Sequence, residues 1–360
     1  MPEESPRRHA GALGGAREQV VAFAPGRVNV LGEHTDYNQG LALPFAITEG
    51  ITVRATPSPA PRIEAQALDL GERDAFSLAP SPAPASGWRA FVRGAVSELQ
   101  RAGIALTGAR LEMGGDVPRG AGLSSSAALE VSLCLALIGL TGRAPPDGRE
   151  LARICSRVEN EWVGAHTGLL DQLASIYGRP GAAVRIDFRS LEVRPVPLDL
   201  GDWRLVTLDS GARRSLAASG YNERRAECAR ASELLGVASL REATPDMVDT
   251  LPPPLGDRAR HVLGENARVE SGVAALERSD LGELGRLLDA SHASLRDLYD
   301  VSTPAVEGAV ARLRTAGAAG ARLIGGGFGG HVLGLLPPGS DSLEGARTVR
   351  PGAGARLLKP

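Results

Sequence analysis

The chain has 360 residues, of which 40 are basic, 42 are acidic and 43% are hydrophobic, with a formal net charge of −2 at pH 7. This length exceeds what one average hydrophobic core covers, so we expect two domains, residues 1–200 and 201–360. The balanced charge argues against a nucleic-acid partner. There is neither a stretch of about 20 apolar residues nor an apolar leader, so no membrane partner is expected.

Lysine is almost absent, since Lys359 is the only one in the chain. A phosphate-loop lysine, a protein-kinase lysine and an internal Schiff base are therefore excluded. Any phosphate must be bound by arginine, backbone N–H groups or a metal ion. The cysteines Cys134, Cys155 and Cys228 form no CxxC pair, which predicts no disulfide framework and a cytoplasmic protein.

The first half of the chain carries mainly strand patterns. Strands are predicted in "VVAFA" (20–24), "LALPFAI" (41–47), "ITVRA" (51–55), "ARLEMGG" (109–115), "AAVRIDF" (182–188) and "WRLVTLDSG" (203–211). The first three look like a β-meander with a polar turn between residues 25 and 40. "AALEVSLCLALIGL" is apolar all round and predicts a buried helix, whereas residues 147–164 predict an amphipathic one, with Leu151, Ile154, Val158 and Trp162 at helical spacing.

From about residue 219 the pattern becomes mostly helical, until "ARLIGGGFGGHVLGLLPPG" ends it. Gly325, Gly327 and Gly330 fit GxGxxG literally, which raises the alternative of a dinucleotide-binding oxidoreductase. That motif needs a helix after the glycines. Here a short apolar run stopped by two prolines follows, so we predict a strand, a turn and a second strand.

Gly114 and the following "GDVPRGAGLSSSAALE" place four glycines before three serines and a buried helix. Glycines allow close backbone approach to a ligand, and the first N–H groups of a helix suit an anion. An ordinary helix N-cap would explain one serine, Ser124. The whole segment favours a phosphate site, in which Ser124 and Ser125 serve the phosphates and the helix cap and Ser126 holds a metal.

"PGRVNVLGEHTDYNQG" collects Arg27, Glu33, His34 and Asp36 in a predicted turn, with Asn29 and Asn38. A surface turn could hold each of them as a solvated side chain. Together they supply the donors and acceptors that sugar hydroxyls require. In "GLLDQLAS", Asp171 stands among apolar residues at the start of a helix, where it could accept a hydroxyl proton or simply interact with the helix dipole.

Three segments resemble a known family. The first, "GRVNVLGEHTDYNQG", is similar to the galactokinase signature. "GDVPRGAGLSSSAALE" and "LIGGGFGGHV" resemble the second and third motifs of the GHMP kinases. The likeness extends through "GLLDQLAS", "DSGARRSLAASGYNERRAEC" and "HASLRDLYDVSTP", over roughly residues 20 to 337. It implies an α/β (α+β) fold of two domains, a mixed-sheet N-terminal domain and a ferredoxin-like C-terminal domain, with the ligands in the cleft between them.

The resemblance also implies roles for single residues. Asp171 is the catalytic carboxylate, as base or as positioning group, and Arg27 neutralises charge on the transferring phosphoryl group. The substrate-binding residues are Glu33, His34, Asp36, Gly168 and Tyr221. The residues for ATP and its phosphates are Gly120, Gly122, Leu123, Ser124, Ser125 and Ser126. Ser126 and Glu159 hold Mg²⁺, although a lone glutamate at such a place is more often an exposed helix residue.

The implied reaction is ATP-dependent phosphorylation of galactose at its C1 hydroxyl, the entry step of the Leloir pathway, by a cytoplasmic monomer. The intact "LSSSAALE", Arg27 and Asp171 argue against a non-catalytic sugar sensor. A related kinase acting on arabinose or N-acetylgalactosamine stays open.

Overall fold

The computed structural model describes residues 19–118, 122–165, 167–212 and 217–359. The strands in chain order are β1 (Val20–Asn29), β2 (Leu41–Ala42), β3 (Pro44–Pro57), β4 (Arg62–Ala67), β5 (Glu72–Ser77), β6 (Ala109–Gly115), β7 (Ala182–Asp187), β8 (Glu192–Pro197), β9 (Arg204–Asp209), β10 (Gly320–Leu323), β11 (His331–Leu336), β12 (Arg347–Val349) and β13 (Arg356–Leu358). The α-helices are α1 (Trp88–Arg101), α2 (Ser125–Leu140), α3 (Gly148–Arg157), α4 (Leu170–Tyr177), α5 (Ala217–Leu235), α6 (Pro245–Val248), α7 (Leu255–Glu277), α8 (Leu281–Asp297) and α9 (Pro304–Thr315).

The largest sheet has the strand order β13–β1–β3–β6–β4–β5. Neighbouring strands are antiparallel except β4 and β6, so the sheet is mixed, as predicted. Helix α2 packs on β1 and β3. From Ala127 to Leu140 every α2 residue is buried except the half-buried Leu129, which confirms the buried helix expected from its all-round apolar sequence.

The second sheet belongs to the C-terminal half and has the order β10–β11–β9–β12, antiparallel throughout. Numbered along the chain from β9, this order is 2-3-1-4, which is the ferredoxin-like order predicted for this half. Helices α8 and α9 pack against β10, and α9 also contacts β11. None of the helices in the described part of the chain is long and apolar enough to cross a membrane.

The last strand leaves this second half and returns to the first sheet. β13 pairs antiparallel with β1, and Val21 lies opposite Leu358. The C-terminal half is thus connected to the N-terminal half at its start, through the chain, and at its end, through the pairing of β13 with β1. The boundary at residue 200 stays a prediction.

Three local expectations are wrong. β1 extends to Asn29, so Arg27 lies in a strand rather than in a turn. β2 pairs with β7 in a small sheet of order β2–β7–β8, so the opening strands do not form a simple meander, although β1 and β3 pair directly. The amphipathic helix ends at Arg157, and a π-helical turn, Val158–Val163, continues it. No element was predicted for residues 58–108, where β4, β5 and α1 lie.

Candidate active site

A cleft of about 310 Å³ lies where both halves of the chain meet, and most residues singled out from the sequence line it. They are Arg27, Glu33, His34, Asp36, Gly122, Ser124, Ser125, Ser126, Glu159, Gly168, Asp171 and Tyr221. Leu123 differs: it is buried outside the lining, and its carbonyl accepts the backbone N–H of Arg27 at 3.0 Å. Gly120 lies outside the described residues.

The carboxylate of Asp171, in the first turn of α4, is held from two sides. Arg27 Nε donates to Asp171 Oδ1 at 2.8 Å, and Arg27 Nη2 lies 2.6 Å from the same oxygen. Ser124 Oγ donates to the other oxygen, Oδ2. A third arm of the guanidinium, Nη1, donates to the carbonyl of Gly122 at 2.5 Å. Asp171 is therefore fixed in orientation at the floor of the cleft, beside the glycine–serine loop.

Ser124 stands directly before α2 in a left-handed conformation, with φ 59° and ψ 49°. Its side chain makes no hydrogen bond to the helix, so the prediction of a side-chain cap at Ser124 is wrong. The reason is competition, because the Asp171 carboxylate takes the hydroxyl. Ser125 and Ser126 form the first turn of α2, where backbone N–H groups lack helical acceptors.

Glu159 lies on the π-helical turn and is 5% exposed, so the alternative of an exposed surface glutamate is wrong. It accepts hydrogen bonds from Ser126 Oγ at 3.0 Å, Thr167 Oγ1 at 2.8 Å and Gln172 Nε2 at 2.9 Å. Burial raises the pKa of Glu159, and the nearby charge of Asp171 raises it further. The structure thus brings Ser126 and Glu159 into contact, as the sequence analysis expects of the two metal-binding residues.

The loop after β1 carries Glu33 and His34, both buried. Glu33 Oε1 accepts the N–H of Gly325 at 2.7 Å and lies 3.2 Å from Arg322 Nη2. Burial raises the pKa of Glu33, while Arg322 and Arg27 oppose this shift. His34 Nδ1 is 2.8 Å from the hydroxyl of Tyr37. Because burial lowers the pKa of His34 well below its ordinary value, the ring is neutral near pH 7.

Asp36 approaches the cleft from the next turn of the same loop, over Gly168. A Cβ atom on Gly168 would lie 2.0 Å from Asp36 Oδ2, so only glycine leaves room for this carboxylate. The pKa of Asp36 is raised to about 6, mainly by burial and in part by the charges of Asp171 and Glu33. Asp36 therefore titrates close to neutral pH.

Aromatic rings close the cleft beside His34. The centroid of Tyr221, from α5, lies 5.1 Å from that of His34 and 5.6 Å from that of Tyr37. Burial raises the pKa of Tyr221 well above its ordinary value, so its hydroxyl keeps its proton. Asn29 and Asn38, which the sequence suggested as further groups for sugar hydroxyls, do not line the cleft. Asn38 Nδ2 donates to the carbonyl of His34 at 2.9 Å and so braces the loop.

The chain matches known proteins along its length. Residues 7–57 match the galactokinase galactose-binding signature, residues 90–179 the GHMP kinases N-terminal domain and residues 273–350 the GHMP kinases C-terminal domain. Galactokinase from Roseiflexus sp. (strain RS-1) is 43% identical over 332 residues, which are 89% of this chain and 84% of the relative. Galactokinase from Mycobacterium tuberculosis (strain H37Rv) is 42% identical over 91% of each chain. The chain belongs to the galactokinase family.

The fold agrees with this membership. The crystal structure of Lactococcus lactis galactokinase complexed with galactose matches with a TM-score of 0.88 and 30% sequence identity, over 95% of this chain and 96% of that one. The chain is thus a sugar kinase with the two-domain GHMP kinase fold, as predicted. The sensor alternative is not supported.

The glycine turn of this galactokinase-family chain separates two antiparallel strands, β10 and β11, so a strand rather than a helix follows it directly. This confirms the predicted strand, turn and strand and excludes the dinucleotide-binding alternative. Gly325 and Gly326 line the cleft, although the sequence analysis assigned them no ligand role. Thr167 and Asn222 also line it and were missed. Thr167 directly precedes Gly168 and Asn222 directly follows Tyr221, so their position next to assigned residues could have pointed to them.

A second cavity, of about 380 Å³, borders the cleft at Ser125 and Ser126. Its walls are mostly apolar or glycine, and they include Ile51, Trp88 and Phe91. Only Asp69 brings a charge among the residues that line it. This cavity offers an apolar slot at the same helix terminus that faces the cleft.

Proposed function

We propose that the cleft binds galactose and the phosphates of ATP side by side and transfers the terminal phosphoryl group to the C1 hydroxyl of the sugar. The observation that carries this proposal is the position of Asp171. Its carboxylate is hydrogen-bonded to Arg27 on one side and Ser124 on the other. It lies between the start of α2 and the loop of residues 30–40 that carries Glu33, His34 and Asp36, here called the sugar loop. A hydroxyl nucleophile and an anion would meet at this point.

Asp171 would accept the proton of the C1 hydroxyl or hold that hydroxyl in line with the phosphorus. The loose transition state of phosphoryl transfer needs little base strength, so positioning alone could suffice. Arg27 would offset negative charge that builds on the transferred group, which no lysine is available to do. The N–H groups at the start of α2 would bind phosphate oxygens.

The residues present fit a magnesium ion. Ser126 Oγ and the Glu159 carboxylate are adjacent oxygen donors, and both line the cleft. Mg²⁺ prefers oxygen ligands and takes few from the protein, completing its shell with water and phosphate. Within the described residues no group of three or more His, Cys, Asp or Glu side chains could hold a metal, so nucleotide oxygens would have to contribute. Bound there, the ion would neutralise phosphate charge.

The nucleotide base would occupy the adjoining apolar cavity, where Trp88 and Phe91 provide flat, apolar surfaces. On the other side of Asp171, Asp36 would accept from hydroxyls on the C3–C4 side of the sugar, and Glu33 and His34 would attend the C6 hydroxyl. Tyr221 would close the pocket near C4. Galactose and glucose differ only at C4, so a fixed polar group there would discriminate between them.

The test is a coupled ADP-release assay with galactose, glucose, N-acetylgalactosamine and arabinose. We expect the highest kcat/KM for galactose and a value for glucose lower by roughly 10⁴-fold, because a site built to bond one hydroxyl rejects the sugar that misplaces it. Equal values for galactose and glucose would contradict the assigned C4 contacts. A preference for N-acetylgalactosamine or arabinose would move the substrate assignment. We also propose that the protein is a cytoplasmic monomer. Light scattering in solution measures its molecular mass and so tests the monomeric state.

A further inference from the structure

Arg322 is a charged side chain with no exposure at all, at the end of β10. It stands three residues before Gly325, where the cleft-lining turn begins. Two of its nitrogens donate to carbonyls, Nε to Leu323 at 2.9 Å and Nη1 to Val30 at 2.7 Å. A guanidinium enclosed in this way needs negative charge nearby, since an unpaired buried charge is strongly destabilising.

That charge comes from two carboxylates on different sides of Arg322. Nη2 lies 3.2 Å from Glu33 Oε1 in the sugar loop, and Nη1 lies 3.8 Å from Glu265 Oε1 in α7. Val30, whose carbonyl Arg322 also binds, is the first residue of this loop after β1 and stands three residues before Glu33. Arg322 therefore contacts the loop at its start and at its carboxylate.

On the other side of this cluster, Glu265 is held by several hydrogen bonds. Glu265 accepts from Gly32 N at 2.9 Å, Ser291 Oγ at 2.7 Å and Arg268 Nε at 2.6 Å. Burial alone would raise the pKa of Glu265, but the charges of Arg268 and Arg322 bring it down to about 2. Glu265 is thus ionised and fixed, and it restrains Arg322 on the side away from the cleft.

The Glu33 side faces the ligand. Arg322 and the N–H of Gly325 both contact the same oxygen, Oε1, and Glu33 lines the cleft. The N–H of Gly325 donates a hydrogen bond to this oxygen, and the Arg322 guanidinium holds it by an ion pair at 3.2 Å, so both restrain the orientation of the carboxylate. A carboxylate with a fixed orientation can select a hydroxyl, whereas a freely rotating one adapts to many.

We propose that Arg322 is a positioning residue for sugar recognition: it orients the Glu33 carboxylate, balances its charge and couples the sugar loop to the glycine turn. This inference rests on the proposed function, in which Glu33 attends the C6 hydroxyl of galactose. Arg322 itself lies behind Glu33 and does not line the cleft. Its influence should therefore appear only in properties that depend on Glu33.

The test compares galactose with 6-deoxygalactose, which lacks the C6 hydroxyl. In Arg322→Met, the affinity for galactose, measured calorimetrically without ATP, should fall about tenfold or more, as expected for loss of a charge-assisted hydrogen bond. The affinity for 6-deoxygalactose should change less than about threefold, and kcat at saturating galactose should change less than KM. Equal losses for both sugars would overturn the proposal.

The matched control is Arg268→Met, which removes the other arginine of the cluster. Arg268 pairs with Glu265 and not with Glu33. It should lower the melting temperature while leaving the ratio of the two sugar affinities as in the wild type. If Arg268→Met altered this ratio as much as Arg322→Met, the effect would be general to the cluster and the assignment to Arg322 would be wrong.

A double-mutant cycle covers the case in which Arg322→Met does not fold. Glu33→Gln combined with Arg322→Met leaves no unpaired carboxylate at this position, so the double variant should fold. Its galactose affinity should lie within about twofold of Glu33→Gln alone, since contacting pairs are non-additive. A further large loss, or a double variant that does not fold, would overturn the proposal. Failure of the wild type to bind galactose would instead contradict the proposed function.

Discussion

Asp171 makes hydrogen bonds through both carboxylate oxygens, to Arg27 and to Ser124. Asp171→Asn replaces one acceptor by an NH₂ group, which cannot accept from either donor. We expect kcat to fall by roughly 10²-fold or more, the scale for a positioned proton acceptor, with galactose binding retained. ADP release and calorimetry with galactose measure the two effects. Asp202→Asn, at an exposed turn, is the control, and turnover near the wild-type value in Asp171→Asn would remove Asp171 from the mechanism.

Asp36 predicts a pH dependence of sugar binding. Its pKa is raised to about 6 by burial and by the charges of Asp171 and Glu33, and Arg225 and the N–H of Tyr37 only partly oppose this. If the ionised carboxylate accepts from galactose, affinity should be constant above about pH 7. Below pH 6 it should fall, approaching about tenfold per pH unit. The free protein behaves oppositely: because the folded pKa exceeds the unfolded one, this group favours folding more below pH 6 than above it.

Titration calorimetry with galactose between pH 5 and 8 measures this dependence. Asp36→Asn should bind galactose more weakly and lose the step near pH 6. A dependence that persists in Asp36→Asn would point to another carboxylate of the cleft whose pKa burial raises, Glu33 or Glu159. A wild-type affinity that is flat from pH 5 to 8 would show that Asp36 does not bind the sugar as a carboxylate.

The loop between the π-helical turn and α4 contains Gly168, whose missing side chain leaves room for the Asp36 carboxylate. Gly168→Ala would place a methyl group 2.0 Å from Asp36 Oδ2, so the loop or the carboxylate must move. We expect galactose KM to rise about tenfold or more, with a stability loss of about 1–3 kcal/mol, as for other overpacked sites. Gly308→Ala in α9 is the control, because a Cβ there meets nothing within 4 Å. It should be neutral or stabilise by about 0.5–1 kcal/mol. An unchanged KM in Gly168→Ala would mean that Asp36 has no role in binding.

The π-helical turn supplies a second prediction, because it turns Glu159 inward and Glu161 outward. Glu159 contacts Ser126, whereas Glu161 pairs with Arg101 at the surface. Glu159→Gln should raise the Mg²⁺ concentration for half-maximal rate by about tenfold, the scale for loss of one oxygen ligand's charge. The galactose KM should change less. Glu161→Gln should leave the Mg²⁺ titration unchanged, and an unchanged titration in Glu159→Gln would contradict its metal role.

At the scale of single elements, the sequence predicts those helices and turns whose own residues are sufficient to determine their structure. α2 is apolar on every side, so its sequence alone predicts a buried helix. The glycine turn is followed by a short apolar run that two prolines end, so the sequence alone predicts a strand there. The π-helical turn was not predictable, because Ile154, Val158 and Trp162 are spaced four residues apart, which also fits an ordinary α-helix, and π-helical turns are rare. Ser124 was assigned a capping role from residue type alone. Its actual partner, Asp171, is 47 residues away, and local propensity carries no information about it.

The candidate site, too, could be predicted only where the sequence is locally informative. Charged and polar groups crowd two short segments, and these pointed to the cleft residues from Arg27 to Asp36 and from Gly122 to Ser126, whereas Glu159, Gly168 and Tyr221 were assigned only through the family resemblance. The residues behind them were not found, since Arg322 looks like an ordinary strand arginine until β10 is placed beside the sugar loop. The return of β13 to β1 is also a long-range pairing, and a three-residue strand has almost no pattern of its own.

At the scale of the whole molecule, the pairing of β13 with β1 links the C-terminal end of the chain to the first half. After β12 the chain crosses back to the first half, and its backbone is held by Gly352 N to Ala46 O at 2.7 Å, Gly354 N to Gly178 O at 2.8 Å and Ala355 N to Ser175 O at 2.8 Å. Ser175 belongs to α4, the helix that carries Asp171. The C-terminal segment therefore braces both the edge of the large sheet and the helix that carries Asp171.

A chain ending at Arg350 should test this bracing. It removes β13, leaves the edge of β1 without a partner and uncovers the core next to Leu357, which packs against the buried cluster that includes Val20, Val53 and Leu137. We expect unfolding free energy to fall by at least about 2 kcal/mol, the value for exposing one large aliphatic side chain, and aggregation to increase because an edge strand is freed. Because α4 also loses its brace at Ser175, kcat should fall more than galactose affinity. The control ends at Leu358, keeps β13 whole and should match the full chain in urea unfolding and in ADP release. If the chain ending at Arg350 unfolded at the same urea concentration as this control, the return strand would contribute nothing to joining the two halves.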